Sequence, residues 1–230
     1  MIQDVEPATE ATGRRARKKR ATLLALKAAA LDLVAERGFA NVTVEDICDV
    51  VDVSSRTFFN YFATKEAAIV GEDPGLVDAM RHDLLGLPAE LSPLEALRTV
   101  LFARLRAIEE DFDLSGEDHA VWRRRFAIVR SQPEVLVAYT KHLTMVEQAL
   151  TDALVERLGG DERFRKYAAI VTTTAIGVTR VSGVYSGADG GPDSLIDSAT
   201  EAFGILADGL SLDAYLEQRL PEATGRLAPA

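Results

Sequence analysis

The chain has 230 residues, 47% hydrophobic and 27% charged, with a net charge of −10. That is enough for a sizeable core, in one large domain or a small one joined to a larger one. The longest uncharged stretch, Tyr167 to Thr179, has 13 residues, short of the roughly 18 to 20 of a membrane span. With no apolar signal core at the start and one cysteine, Cys48, the reading is a cytoplasmic protein. No membrane partner, internal disulfide framework or multi-cysteine zinc site is expected.

The charge is uneven. Arg14 to Lys65 holds ten Lys or Arg against six Asp or Glu, whereas Glu66 onward holds sixteen against twenty-seven. A basic module on an acidic body would meet phosphates with the first and be oriented by repulsion of the second, although ordinary surface scatter gives the same numbers.

In chain order, residues 1–19 read as a disordered arm, basic from Arg14 to Arg20, with Arg17 and Lys18 as DNA contacts. Leu24, Ala28, Leu31, Val34 and Ala35 recur at helical spacing, and Gly38 sits where the helix should stop. Thr43, with Asp46 three residues on, predicts the capped start of a second helix whose inner face is Val44, Ile47, Cys48 and Val51. Ser54 caps a third helix and Thr64 a fourth.

Beyond Lys65 every long segment keeps helical period. Ser92-Pro93-Leu94-Glu95 starts a helix with Leu94, Leu97, Leu101, Leu105, Ile108 and Phe112 on one side. Another covers about 119–130. Pro133 opens the next, with Leu136, Tyr139, Leu143, Val146, Leu150 and Leu154 inside. Asp161 caps a long helix to about Tyr185, a last long helix spans about 194–210, and a short amphipathic turn is expected at 212–220. The fold class is all-α. The partition is a helix-turn-helix head at 20–66, a helical ligand-binding and dimerisation domain at 67–220, and a tail at 221–230.

The segment 43–65 carries the chemistry. A helix-turn-helix needs a phosphate-anchored first helix, a sharp turn and a second helix whose outer face reads base edges. Thr43 can offer its hydroxyl and backbone N–H to a phosphate. Asp52 falls where a left-handed backbone is usual, and Asp tolerates it. Val53, Phe58 and Phe62 are spaced to pack inward. Arg56 suits guanine O6 and N7, Ser55 and Thr57 suit either base pair, and Phe59 suits thymine methyls. Ser54, Asn60, Tyr61 and Lys65 are expected on phosphates.

The run from Ala29 to Glu66 resembles the DNA-binding domain of TetR-family transcriptional regulators over about a sixth of the chain. The matching pieces are Ala29-Ala-Leu-Asp-Leu33, Glu36-Arg-Gly-Phe39, Thr43-Val-Glu-Asp-Ile47, Val53-Ser54 and Thr57-Phe-Phe-Asn-Tyr-Phe-Ala-Thr-Lys-Glu66. Asp52 departs from the usual turn glycine, and Phe59 stands where tyrosine is frequent. The resemblance implies a homodimeric repressor that binds a palindromic double-stranded DNA operator and is released by a small-molecule effector. An activator, or a ligand-independent DNA binder of the same fold, is the alternative.

For the dimer, the helices near 161–185 and 194–210 are expected to meet their copies. Ala168, Thr172, Ala175 and Gly183 would allow close approach; Val171, Val178, Val181, Ile196, Phe203 and Leu206 would supply apolar area. The same faces could instead pack within one subunit. The candidate effector pocket is walled by Phe102, Leu105, Trp122, Phe126, Tyr139, His142, Leu143, Thr173 and Ile176. One arginine of 123–125 could reach an anionic ligand, Glu109 or Asp113; solvated surface arginines are the plainer reading. The scattered His82, His119 and His142 have no metal-ligand spacing, so no metal or cofactor is expected. The absence of a phosphate loop, nucleophile elbow or zinc motif argues against an enzyme.

Overall fold

The computed structural model describes residues 7–73, 75–115, 120–185 and 194–210. Among them there is no strand, only ten α-helices and two 3-10 turns. The helices are α1 (Pro7–Arg37), α2 (Val44–Val51), α3 (Ser55–Phe59), α4 (Lys65–Val70), α5 (Leu76–Gly86), α6 (Pro93–Ser115), α7 (Ala120–Ser131), α8 (Pro133–Arg157), α9 (Arg165–Tyr185) and α10 (Leu195–Ala207). The 3-10 turns cover Phe39–Asn41 and Glu162–Phe164.

α1 takes in residues 7–19, which the sequence suggested as a disordered arm. Ala, Arg and Lys dominate 14–20, and these are good helix formers able to extend a helix already nucleated by packing downstream. The turn expected at 212–220 lies outside the described residues.

The chain forms two compact units: one of Met1–Arg81 with Asp111–Ala149, the other of His82–Glu110 with Leu150–Ala230. This division differs from a linear break at residue 66, because α7 packs on α1 and α4.

In the first unit α1 is central, packed by α2, α4 and α7. It buries Leu23, Leu26, Ala30 and Leu33 as well as Leu31 and Val34, whereas Ala35 is exposed. A single apolar stripe underestimates a helix covered on several sides. Ile47, Cys48, Phe58, Phe62 and Ile69 close this core. On α8 the buried residue of the first turn is Val135; Leu136, expected inside, is 44% exposed.

In the second unit Leu97, Leu101 and Leu105 of α6 are buried with Leu150 and Leu154 of α8. Two polar anchors fix the helix ends. The Arg157 guanidinium donates to the carbonyls of Leu84 (3.4 Å), Leu87 (2.8 Å) and Pro88, at and just beyond the C-terminus of α5. Those carbonyls would otherwise lack intrahelical partners, and a cation also suits the negative end of the helix dipole. At α10, Glu109 Oε1 accepts from the N–H groups of Leu195 (2.7 Å) and Ile196 (3.3 Å), beside the Ser194 cap. Glu109 thereby holds a helix N-terminus.

The capping box at Ser92 is present: Glu95 Oε2 accepts from the Ser92 hydroxyl (2.6 Å) and N–H (3.1 Å). Asp161 caps the 3-10 turn that leads into α9 rather than α9 itself. α9 and α10 pack together, and Ala168, Thr172, Ala175, Gly183 and Phe203 are all buried within this unit. They are therefore not a free face for a partner. The outward side of α9 carries Tyr167, Ile170, Val181 and Tyr185 instead, each 47% exposed or more.

Candidate nucleic-acid interface

The helix-turn-helix is assembled from local hydrogen bonds. At the start of α2, Asp46 Oδ2 accepts from both the N–H (2.8 Å) and the hydroxyl (2.7 Å) of Thr43, and Thr43 Oγ1 accepts from the Asp46 N–H (3.1 Å). The Thr43 hydroxyl, its N–H and the Arg37 guanidinium at 3.7 Å hold the Asp46 carboxyl below the usual carboxylate range, against a small opposing effect of desolvation. Both Thr43 donors expected on a phosphate are therefore already bonded to a carboxylate. Thr43 shapes the helix start, and the phosphate contact predicted for it would first have to break this box.

α2 ends at Asp52, whose φ of 55° and ψ of 51° are left-handed, as the turn position required. Its neighbour Val53 donates to the Cys48 carbonyl at 3.1 Å, closing the turn. Cys48 is buried, and burial pushes its thiol pKa up despite a hydrogen bond from Ser55; the thiol is a core group, not a reactive one.

Ser54 caps α3: its Oγ accepts from the Thr57 N–H (3.1 Å) and shares a 2.9 Å hydrogen bond with the Thr57 hydroxyl. α3 itself is only five residues long, but Phe62 N–H donates to the Phe58 carbonyl at 3.0 Å, so one more turn follows. Phe58 (0% exposed) and Phe62 (2%) anchor it in the core. Phe58 also meets the edge of Phe59 at a centroid distance of 5.5 Å.

What remains outward is shorter than the predicted face. Arg56 and Asn60 are exposed and Phe59 keeps 55% of its surface. Thr57 and Tyr61 are half-buried, and so is Ser55, which bonds Cys48. Arg17 and Lys18 are exposed on α1. Val50, 61% exposed on α2, was missed by sequence reasoning. The alternation of Val44, Ile47, Cys48 and Val51 leaves it by default on the outer side.

Lys65 departs most from expectation. Its ammonium donates to the carbonyls of Phe39 (2.8 Å) and Val42 (2.7 Å) and lies 4.0 Å from the centroid of the Phe39 ring. Three N–H groups directed at two carbonyls and a ring make it a tie between α4 and the segment that leads into α2, in place of a phosphate contact.

The predicted pocket residues are shared between the units. Phe126, Tyr139, His142 and Leu143 belong to the first, where the Phe126 and Tyr139 rings meet edge to face at 5.9 Å. Phe102, Leu105 and Ile176 belong to the second, where Phe102 meets Phe203 at 5.6 Å. Thr173 is exposed; its neighbour Thr172 is the buried one. One residue along a helix turns the side chain by about 100°, which suffices to exchange inside for outside. The Trp122 side chain lies outside the described residues. Of the arginine run, Arg124 pairs with Asp32 of α1 at 2.5 Å, as a surface arginine would. No group of His, Cys, Asp or Glu that could hold a metal occurs among the described residues, and no described helix is long and apolar enough to cross a membrane.

Comparison with known proteins divides the chain linearly instead. Residues 26–68 match the model of bacterial regulatory proteins of the tetR family, and residues 91–211 match that of the MftR C-terminal domain. The transcriptional regulator TcmR of Streptomyces glaucescens is 30% identical over 223 residues, covering 94% of this chain and 96% of that protein. RutR of Escherichia coli K12, another such regulator, is 29% identical over 98 residues, covering 43% of this chain and 46% of RutR. A solved Clostridium perfringens regulator shares the fold with a TM-score of 0.50 at 17% identity, covering 82% of this chain and 99% of its own. With both of its parts and a near full-length relative in agreement, this chain belongs to the TetR family of bacterial transcriptional regulators, helical DNA-binding proteins that are not enzymes.

Proposed function

We propose that this regulator is a cytoplasmic homodimeric repressor that binds a palindromic operator and leaves it when a small molecule occupies the helical remainder of the chain. The observation that carries the DNA half is the outward row Arg56, Phe59 and Asn60, on a helix held at one end by a serine cap and a left-handed turn. Preformed geometry lets the base edges meet side chains whose backbone is already ordered. Arg56 reads a guanine, Phe59 packs on a thymine methyl, and Asn60, Tyr61, Arg17 and Lys18 hold the phosphates that fix register.

Support for a dimer comes from the outward stripe of α9. Tyr167, Ile170, Val181 and Tyr185 fall within about 60° of one another around the helix axis, and large apolar side chains in a row mark an association surface. Two such α9 stripes would join the copies and set the half-site spacing.

Selecting genomic fragments that the purified protein binds tests the whole reading. The expected product is a two-fold symmetric sequence; recovery of no symmetric sequence overturns it. On that operator Arg56→Ala should weaken binding by about 1 to 3 kcal/mol and relax one base step per half-site. Equal weakening on random DNA would make Arg56 a phosphate contact. A reporter under the operator should rise when the protein is absent.

A further inference from the structure

Among the aromatic side chains of the head, Phe39, Phe58 and Phe62 are buried and Tyr61 is half-buried; Phe59 alone is exposed, at 55%. Its ring is not loose. It stands at 87° to the ring of Phe58, with centroids 5.5 Å apart, and Phe58 is itself fully buried and in contact with Phe62 at 5.5 Å. An edge-to-face contact with a fixed partner restricts the ring before any ligand arrives. The helix thus keeps a rigid apolar disc outside its core, and Arg56, one turn earlier, is its exposed polar neighbour.

Polar groups near that ring are bonded, half-buried or on another side of the helix. Ser54 Oγ accepts from the Thr57 N–H at 3.1 Å and shares a 2.9 Å hydrogen bond with the Thr57 hydroxyl. Ser55 is half-buried. Arg56 has donors and no acceptor, so it gains nothing from the amino group of cytosine. Asn60 follows Phe59 and lies about 100° further around the axis. In the major groove thymine and cytosine differ at two points: the oxygen or amino group at C4, and the C5 methyl that thymine has and cytosine lacks. A phenyl ring has no hydrogen-bonding group for the first. It senses the methyl, through the apolar surface that the two bury together.

We propose that Phe59 makes operator recognition a test for a 5-methylpyrimidine in each half-site, so that 5-methylcytosine is accepted in the place of thymine and methylation of a cytosine there strengthens binding. The proposal rests on the DNA-reading function above and goes beyond it: the contact that reads sequence also reads a covalent mark on DNA. A buried methyl is worth about fourfold in affinity, and a two-fold symmetric operator presents it twice, which makes about fifteenfold.

The test is fluorescence-anisotropy titration of the full-length protein with synthetic duplexes of the selected operator. Each thymine in turn is replaced, in both half-sites, by deoxyuridine, which pairs identically and lacks only the methyl. One position should weaken binding about fifteenfold, and in Phe59→Ala that ratio should fall to about one. Phe59 is exposed, so the variant is expected to fold, and a thermal melt verifies this. At the sensitive position a C·G pair then replaces T·A, with the cytosine unmodified or 5-methylated. The methylated duplex should bind about fifteenfold more tightly, again only when Phe59 is present. Equal affinity for thymine and uracil at every position would overturn the proposal. So would a ratio that persists in Phe59→Ala, since a methyl acting through DNA shape needs no ring. Methylated and unmethylated cytosine binding alike, while thymine and uracil differ, would also overturn it. Recovery of no symmetric operator refutes the DNA-reading function itself, a different result from an operator indifferent to methyls.

Discussion

Replacing Lys65 by methionine separates two roles that a lysine at the edge of a DNA-binding head could have. The ammonium donates to two carbonyls, at 2.8 and 2.7 Å, and faces the Phe39 ring at 4.0 Å. Hydrogen bonds to a charged group contribute about 1.5 to 3 kcal/mol each, and a cation over a ring about 0.5 to 1 kcal/mol. Against these stands the desolvation of a half-buried ammonium, relieved in the variant. Lys65→Met should therefore lose about 2 to 3 kcal/mol of stability in urea unfolding, with the slope of the unfolding free energy unchanged. If Lys65 neutralised a phosphate, the plot of log affinity against log salt would lose about one unit of slope. The tie predicts an unaltered salt slope for the folded variant. A reduced slope with undiminished stability would refute the structural role.

Other positions give equally direct expectations. Asp52→Gly should stabilise the protein by about 0.5 to 1 kcal/mol, because glycine adopts the left-handed turn without steric cost, less the greater freedom it gives the unfolded chain; Asp52→Val should destabilise, and a thermal melt distinguishes them. The lowered Asp46 pKa means that its contribution is present above the unfolded carboxylate value, near pH 4, and is lost as pH falls through the lower folded value. Asp46→Asn should accordingly flatten the acid limb of a stability–pH curve, and an unchanged limb would count against the capping box. Arg157→Met should cost about 2 to 3 kcal/mol in urea unfolding, since it strips a charged donor from carbonyls that lack helical partners; a cost near zero would mean that water replaces it.

Features set by neighbours three or four residues apart were legible from the sequence. The caps at Thr43, Ser54, Thr64 and Ser92 and the left-handed Asp52 follow from chemistry contained within one turn. Lys65 was not legible, because its partners lie 23 and 26 residues upstream and nothing local distinguishes a lysine aimed at carbonyls from one aimed at phosphate. The small residues of α9 correctly signalled close helix packing, but small size does not say whose helix approaches. α10 of the same unit takes that face and leaves the larger Tyr167, Ile170, Val181 and Tyr185 outside. The exchange of Thr172 for Thr173, and of Val135 for Leu136, reflects how little a one-residue rotation changes a periodic pattern.

The grip of Glu109 on the first N–H groups of α10 separates where that helix begins from how the chain arrives there. Its origin is held from α6 and by Ser194, not dictated by the length of the connection from α9. That junction is consequently suited to receive a fluorescent protein or an affinity tag, with the register of α10 unchanged.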